Sequence, residues 1–213
     1  HYVDFIRDRI AGKPVIQNGM KGEVERCLSA LEAALAGQNV CMVCSGDPGI
    51  LAMAGLLYEL RAREPRFGDI PIRVLPGITA ATIAAASLGA PLQNGFSLVS
   101  LSDLLVSADE VRRNIRSVAQ SLLPVALYNP AGRKRRDLLE ETLAVFREHR
   151  GEDVLCAYVK NAGREQETKW AGKLSEFPAA EVDMSTLIII GGPRTRLDSG
   201  VLYEPRYVEK YME

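Results

Sequence analysis

Apolar residues recur at helical spacing at Val24, Leu28, Leu31 and Leu35, with Glu23, Glu25 and Glu32 off that stripe. The pattern predicts a helix over 21–36, ended by Gly37 in a left-handed cap. Short apolar runs follow at Asn39–Cys44 and Ile72–Leu75 and read as buried strands. Each runs into a Gly/Pro turn, Ser45-Gly46-Asp47-Pro48-Gly49 and Pro76-Gly77-Ile78-Thr79-Ala80, and then into a helix, over 50–63 and 78–88. The charged stretch Arg61–Asp69 reads as a solvated loop, and the alanines at 80, 81, 84, 85 and 86 fit a helix packed closely on a neighbour or a ligand. Gly89–Leu92 is the expected domain junction, giving domains over 1–92 and 93–213.

The second half repeats the alternation. Strands are expected at Phe96–Leu101, Val125–Tyr128, Val154–Val159 and Thr186–Ile190. Ser107 and Glu110 have capping-box spacing ahead of the stripe Val111, Ile115, Val118 and Leu122. A second helix starts at the basic cluster Arg133–Arg136 and presents Leu138, Leu139, Thr142, Leu143 and Phe146 on one face. Residues 166–183 are weakly patterned, a strand plus a short helix at most. Strands alternating with helices predict an α/β fold, and Gly, Pro or Asn clusters after every strand predict loops gathered at one sheet edge, where ligands bind.

With 213 residues, 47% of them hydrophobic, the chain can bury a full core. A formal net charge of -1 gives no global attraction to nucleic acid or anionic membrane, and no apolar run approaches the roughly 20 residues of a membrane span. Cys41 and Cys44 have C-x-x-C spacing, but three positions apart on a strand they point to opposite faces. Together with Cys27 and Cys156 they read as buried thiols of a cytoplasmic protein, and no metal centre is expected. His1 and His149 are too few for a histidine-based centre or triad.

Seven segments taken in order resemble the tetrapyrrole methylase family over nearly the whole chain. They are Tyr2-Val3-Asp4, Gly19-Met20 with Glu25-Arg26-Cys27, Ser45–Gly49, Pro76–Ala80, Ser100-Leu101-Ser102-Asp103-Leu104-Leu105, Leu127-Tyr128-Asn129-Pro130 and Asn161-Ala162-Gly163-Arg164-Glu165. The last three are most similar to the branch of precorrin-3B C17-methyltransferases of cobalamin biosynthesis. The resemblance implies two α/β domains with a cleft between them, a homodimer, S-adenosylmethionine as methyl donor leaving S-adenosylhomocysteine, and a tetrapyrrole acceptor. It also implies that Ser45, Gly46, Asp47, Ile50, Thr79, Ala80, Asn129 and Ala162 contact the donor. The family pattern begins with a strand and a G-x-G-P-G loop that this sequence lacks ahead of His1, and Tyr2–Ile6 reads as the end of an element.

Methyl transfer from a sulfonium is an in-line displacement, so alignment and exclusion of water matter more than a strong protein nucleophile. Asp47 either favours the cationic donor or fixes its own turn by accepting backbone N–H groups. An acceptor rich in carboxylates calls for guanidinium partners, with Arg133, Arg135 and Arg164 as candidates beside Ser100 and Tyr128. Ring contraction also needs proton transfer, for which Ser100, Ser102, Asp103, Tyr128 and Glu165 are the candidates, with Ser102 and Asp103 taken as the catalytic pair and a cap on the following segment as their alternative. The competing functions are methylation of another precorrin carbon or of uroporphyrinogen, and a catalytically inactive binding protein of the same fold. A nucleotide-phosphate site is disfavoured because neither G-x-G-x-x-G nor a Walker loop occurs.

Overall fold

The computed structural model describes residues 2–17, 22–104, 106–131, 136–206, 208 and 212. Gly19-Met20, Leu105, Arg133 and Arg135 from the sequence reading lie outside them. The chain is an α/β fold in two compact units, 1–79 and 80–213.

The first unit holds α1 (Tyr2–Phe5), α2 (Glu23–Leu35) and α3 (Ala54–Arg63), with 3-10 turns at Arg7–Arg9 and Pro65–Phe67. The helix α2 ends as its glycine predicts: Gly37 has φ 85° and donates its N–H to Ala34 O, while Gln38 N–H reaches Ala33 O. Its buried face, however, is Cys27 and Leu31, with Val24 and Leu35 exposed. The expected strands Asn39–Cys44 and Ile72–Leu75 are not formed. Val40, Val43, Val74 and Leu75 are exposed, and among the described residues no strand pairs with either run. An apolar run becomes a strand only when a neighbour takes up its backbone N–H and C=O groups. Cys41 is correspondingly exposed and Cys44 half-buried, against the expectation of buried thiols. Arg61–Asp69 also departs from a solvated loop, because Phe67 is fully buried. Arg66 lies 4.3 Å over the Phe67 ring and pairs with Glu32 and Glu64.

The second unit contains α4 (Ala80–Leu88), β1 (Gly89–Ala90), β2 (Ser97–Ser100), α5 (Ala108–Ala119), β3 (Val125–Tyr128), α6 (Arg136–Arg150), β4 (Leu155–Lys160), β5 (Thr168–Lys173), β6 (Thr186–Ile190), β7 (Arg196–Asp198) and β8 (Val201–Tyr203). The main sheet has the order β2-β3-β6-β4-β5, and β1, β8 and β7 form a smaller one. Strand alternation divides the core in two. Val125, Leu127, Cys156, Tyr158, Ile188 and Ile190 face the apolar sides of α5 and α6, including Val111, Ile115, Leu139, Leu143 and Phe146. Ala126, Ala157, Val159, Leu187 and Ile189 face Ala81, Ala84 and Leu88 of α4. Alanine against alanine brings α4 close to the sheet, which is why the units divide after Thr79 and not at the Gly89–Leu92 junction expected from sequence.

Ser107 caps α5 as its spacing predicts, accepting the Glu110 N–H at 3.2 Å, and Leu122 lies beyond the helix end, exposed. Arg150, at the end of α6, donates to the carbonyls of Val118, Ala119, Ser121, Leu123 and Gly191, all between 2.7 and 3.0 Å. Burial lowers its guanidinium to about 10.

Candidate functional site

Sheet direction decides which loops share an edge. β2 runs parallel to β3, β6 is antiparallel to both β3 and β4, and the register pairs Ser100 with Tyr128 and Lys160 with Thr186. The ends of β2, β3 and β4 therefore lie at one edge, carrying Ser100, Tyr128-Asn129 and Asn161. Because β6 runs the other way, Gly191-Gly192-Pro193 lies at the opposite edge, which corrects the expectation that every strand sends its loop to the same side.

At the shared edge, Ser100 Oγ accepts the Asn129 side-chain N–H at 2.9 Å and the Ser102 backbone N–H at 3.1 Å. Asn129 is left-handed, with φ 53°, a conformation asparagine enters more readily than most residues. Tyr128 Oη accepts the Ala81 N–H at 2.7 Å and so caps the start of α4. Ala80, Tyr128 and Ala162 all pack on the same apolar cluster. Five of the positions assigned to donor or acceptor, Ser100, Asn129, Tyr128, Ala80 and Ala162, thus fall in this part of the second unit. Ser102 is half-buried and Asp103 exposed after β2; neither caps α5, which uses Ser107. Arg164 is exposed on the turn after β4. Beside it, Lys160 pairs with Asp183. Partial burial raises the Asp183 carboxyl, but Lys160, the Ser185 hydroxyl and N–H, and the Thr186 hydroxyl outweigh it and hold it at about 2.

In the first unit the two Gly/Pro turns meet. Asp47 Oδ1 accepts the Gly49 N–H at 2.8 Å and Oδ2 the Gly77 N–H at 3.0 Å. These two bonds, Gly77 first, hold its carboxyl below the usual range. Of the two roles open to Asp47, turn fixing is the one its contacts make. A Cβ on Gly77 would stand 2.1 Å from Gly46 O, and one on Gly46 would stand 3.6 Å from the Thr79 Cα. The approach of one main chain to the other needs glycine at 77, and φ 76° favours it at 46. Ser45, Gly46, Gly77 and Ile50 are exposed, while Thr79 is buried. Asn129 and Asn161 share a left-handed geometry, both at φ 53°, that no periodicity in the sequence reveals. Asparagine directly after a β-rich run, beside Pro130 or just before Gly163, was the available signal.

Residues 4–178 match the family model for Tetrapyrrole (Corrin/Porphyrin) Methylases. The chain belongs to that family. Among tetrapyrrole methylases it is 36% identical over 205 residues to the probable cobalt-factor III C(17)-methyltransferase of Salmonella typhimurium, covering 96% of this chain and 84% of that one. It is also 36% identical over 191 residues to a precorrin-3B C(17)-methyltransferase of Sinorhizobium sp, covering 87% of this chain and 75% of that one. The solved methyltransferase CobJ superimposes with a TM-score of 0.86 at 31% identity, covering 96% of this chain and 86% of that one. Some relatives are longer: the chain spans 57% of one and 46% of another.

Proposed function

We propose that this tetrapyrrole methylase transfers a methyl group from S-adenosylmethionine to C17 of a precorrin-3B-type macrocycle, or of its cobalt-bearing counterpart, with ring contraction. The observation that carries the reading is 36% identity across 96% of the chain to a C17-methyltransferase. The donor, when bound, supplies an activated methyl group; the protein's residues align it and keep water out. The turns fit such a ligand: exposed main chain at Gly46 and Gly77 offers peptide groups to a nucleoside and an amino acid, and Asp47 holds that backbone rigid.

In this reading Ser45, Gly46, Asp47, Ile50 and Thr79 serve the donor from the first unit, Asp47 through the turn it fixes. Ala80, Asn129 and Ala162 serve it from the second. Ser100, Tyr128, Arg164, Arg133 and Arg135 serve the acceptor, with Ser102 and Asp103 moving protons. A cytoplasmic homodimer completes the reading; no helix among the described residues is long and apolar enough to cross a membrane.

The test is calorimetry with S-adenosylhomocysteine, followed by methyl incorporation into precorrin-3B, cobalt-factor III and uroporphyrinogen. Binding together with methylation of one of the first two is expected. Absence of binding points to an inactive member of the fold, and methylation of uroporphyrinogen alone replaces the proposed acceptor. Sedimentation of the same sample reads the dimer.

A further inference from the structure

We infer that Glu167 is a positioning residue for the loop 161–166, pinning it to α4 so that Ala162 is presented to the methyl donor; the inference rests on the methyltransferase reading. Glu167 sits at the entrance to β5 and uses both carboxylate oxygens. Oε2 accepts the Gly163 N–H at 2.6 Å, and Oε1 accepts the hydroxyl of Ser87 on α4. The Lys169 ammonium donates to the Ser87 carbonyl from the same side. These contacts, the Ser87 hydroxyl first and the Gly163 N–H next, hold the Glu167 carboxyl below its ordinary range. It therefore remains an acceptor of two bonds at neutral pH.

The loop needs such an anchor. Asn161 is left-handed at φ 53°, and a non-glycine residue keeps that conformation only when its surroundings over-determine it, whereas Gly163 at φ 73° adopts it freely. Asn161 closes the loop from within by donating its side-chain N–H to Gln166 O at 3.3 Å. A Cβ on Gly163 would approach Ile83 Cγ2 to 3.0 Å, so the loop lies directly on α4. Glu167 thus ties the backbone beside Ala162 to the helix that begins with Ala80. The place of one proposed donor contact, Ala162, is set by a carboxylate bonded to the neighbouring Gly163.

The test uses the full chain with Glu167→Ala, Glu167→Gln and Ser87→Ala. Glutamine retains a carbonyl for the Gly163 N–H and an amide N–H for the Ser87 oxygen, so it should rescue. Glu167→Ala is expected to weaken S-adenosylhomocysteine binding and raise KM for S-adenosylmethionine about tenfold, with kcat at saturation within about twofold. Glu167→Gln should stay within about threefold of wild type, with Ser87→Ala between the two. Hydrogen exchange of the 161–167 segment should quicken in Glu167→Ala and not in Glu167→Gln. Wild-type affinity and exchange in Glu167→Ala, or equal losses in the alanine and glutamine variants, would overturn the inference. If the wild-type protein binds no S-adenosylhomocysteine, the methyltransferase reading fails, and the exchange result still decides whether Glu167 holds the loop.

Discussion

Gly77→Ala isolates the contact on which the first-unit turns depend. Gly77 is not in the left-handed region, so alanine adds a methyl group without backbone strain, and that methyl meets Gly46 O at 2.1 Å and Gly46 C at 3.0 Å. Restoring ordinary contact requires the turns to part by about 1.3 Å, which stretches the 3.0 Å bond from Gly77 N–H to Asp47 beyond hydrogen-bond range. Overpacking of this kind costs about 1–3 kcal/mol. On the proposed reading, in which this turn contacts the donor, the same energy raises the S-adenosylhomocysteine dissociation constant roughly 5- to 150-fold. Titration calorimetry reads the affinity and urea unfolding reads the stability. Gly55→Ala in α3 is the control: its Cβ meets nothing within 4 Å, and it should leave affinity unchanged while gaining up to ~1 kcal/mol of helix propensity. Wild-type affinity and an unchanged urea midpoint in Gly77→Ala would refute the close approach itself. Lost stability with wild-type affinity would keep the geometry and remove this turn from the donor site.

Tyr128→Phe removes the hydroxyl that caps α4 and should cost about 1–2 kcal/mol in urea unfolding; a change below about 0.3 kcal/mol would show that solvent replaces the cap. The Asp183 carboxyl at about 2 lies below its ordinary unfolded value of ~3.9. Its contribution to stability is therefore complete above the unfolded value and lost as pH falls through about 2, a slope in acid unfolding that Asp183→Asn should flatten. Burial raises the Cys27 thiol and pushes Cys156 up to about 12, whereas Cys41 is exposed. A thiol reagent at pH 8 should modify Cys41 in the native protein but Cys27 and Cys156 only in denaturant, and rapid native modification of Cys156 would contradict the burial of β4.

The second unit was largely readable in the sequence because its elements are paid in full by local pattern. Thr186–Ile190 and Val125–Tyr128 are strands at the expected residues, and every expected core position of α6 from Leu138 to Phe146 is buried. What escaped depends on partners that no local pattern encodes. Periodicity shows that β6 is buried on both faces but not which way it runs, so the edge that carries Gly191–Pro193 is not legible in the sequence. The runs at 39–44 and 72–75 have strand composition without a ladder. Phe67 lies in a charged stretch whose arginine stacks on the ring it covers, and the edge strand β5 shows no period-two alternation, its half-buried Trp170, Ala171 and Gly172 being consecutive. At the site, the turn residues were visible as Gly, Pro and Asn. The pairing of Asp47 with Gly77, thirty positions away, was not.

The alanine seam between α4 and the main sheet makes the edge loops answerable to positions that no ligand reaches. A larger side chain at Ala126 or Ala157 would lift α4, pulling the Ala81 amide from Tyr128 and Ser87 from the loop after β4. On the proposed function, drift in those two buried methyl groups is exposed to selection on the reaction as well as on folding.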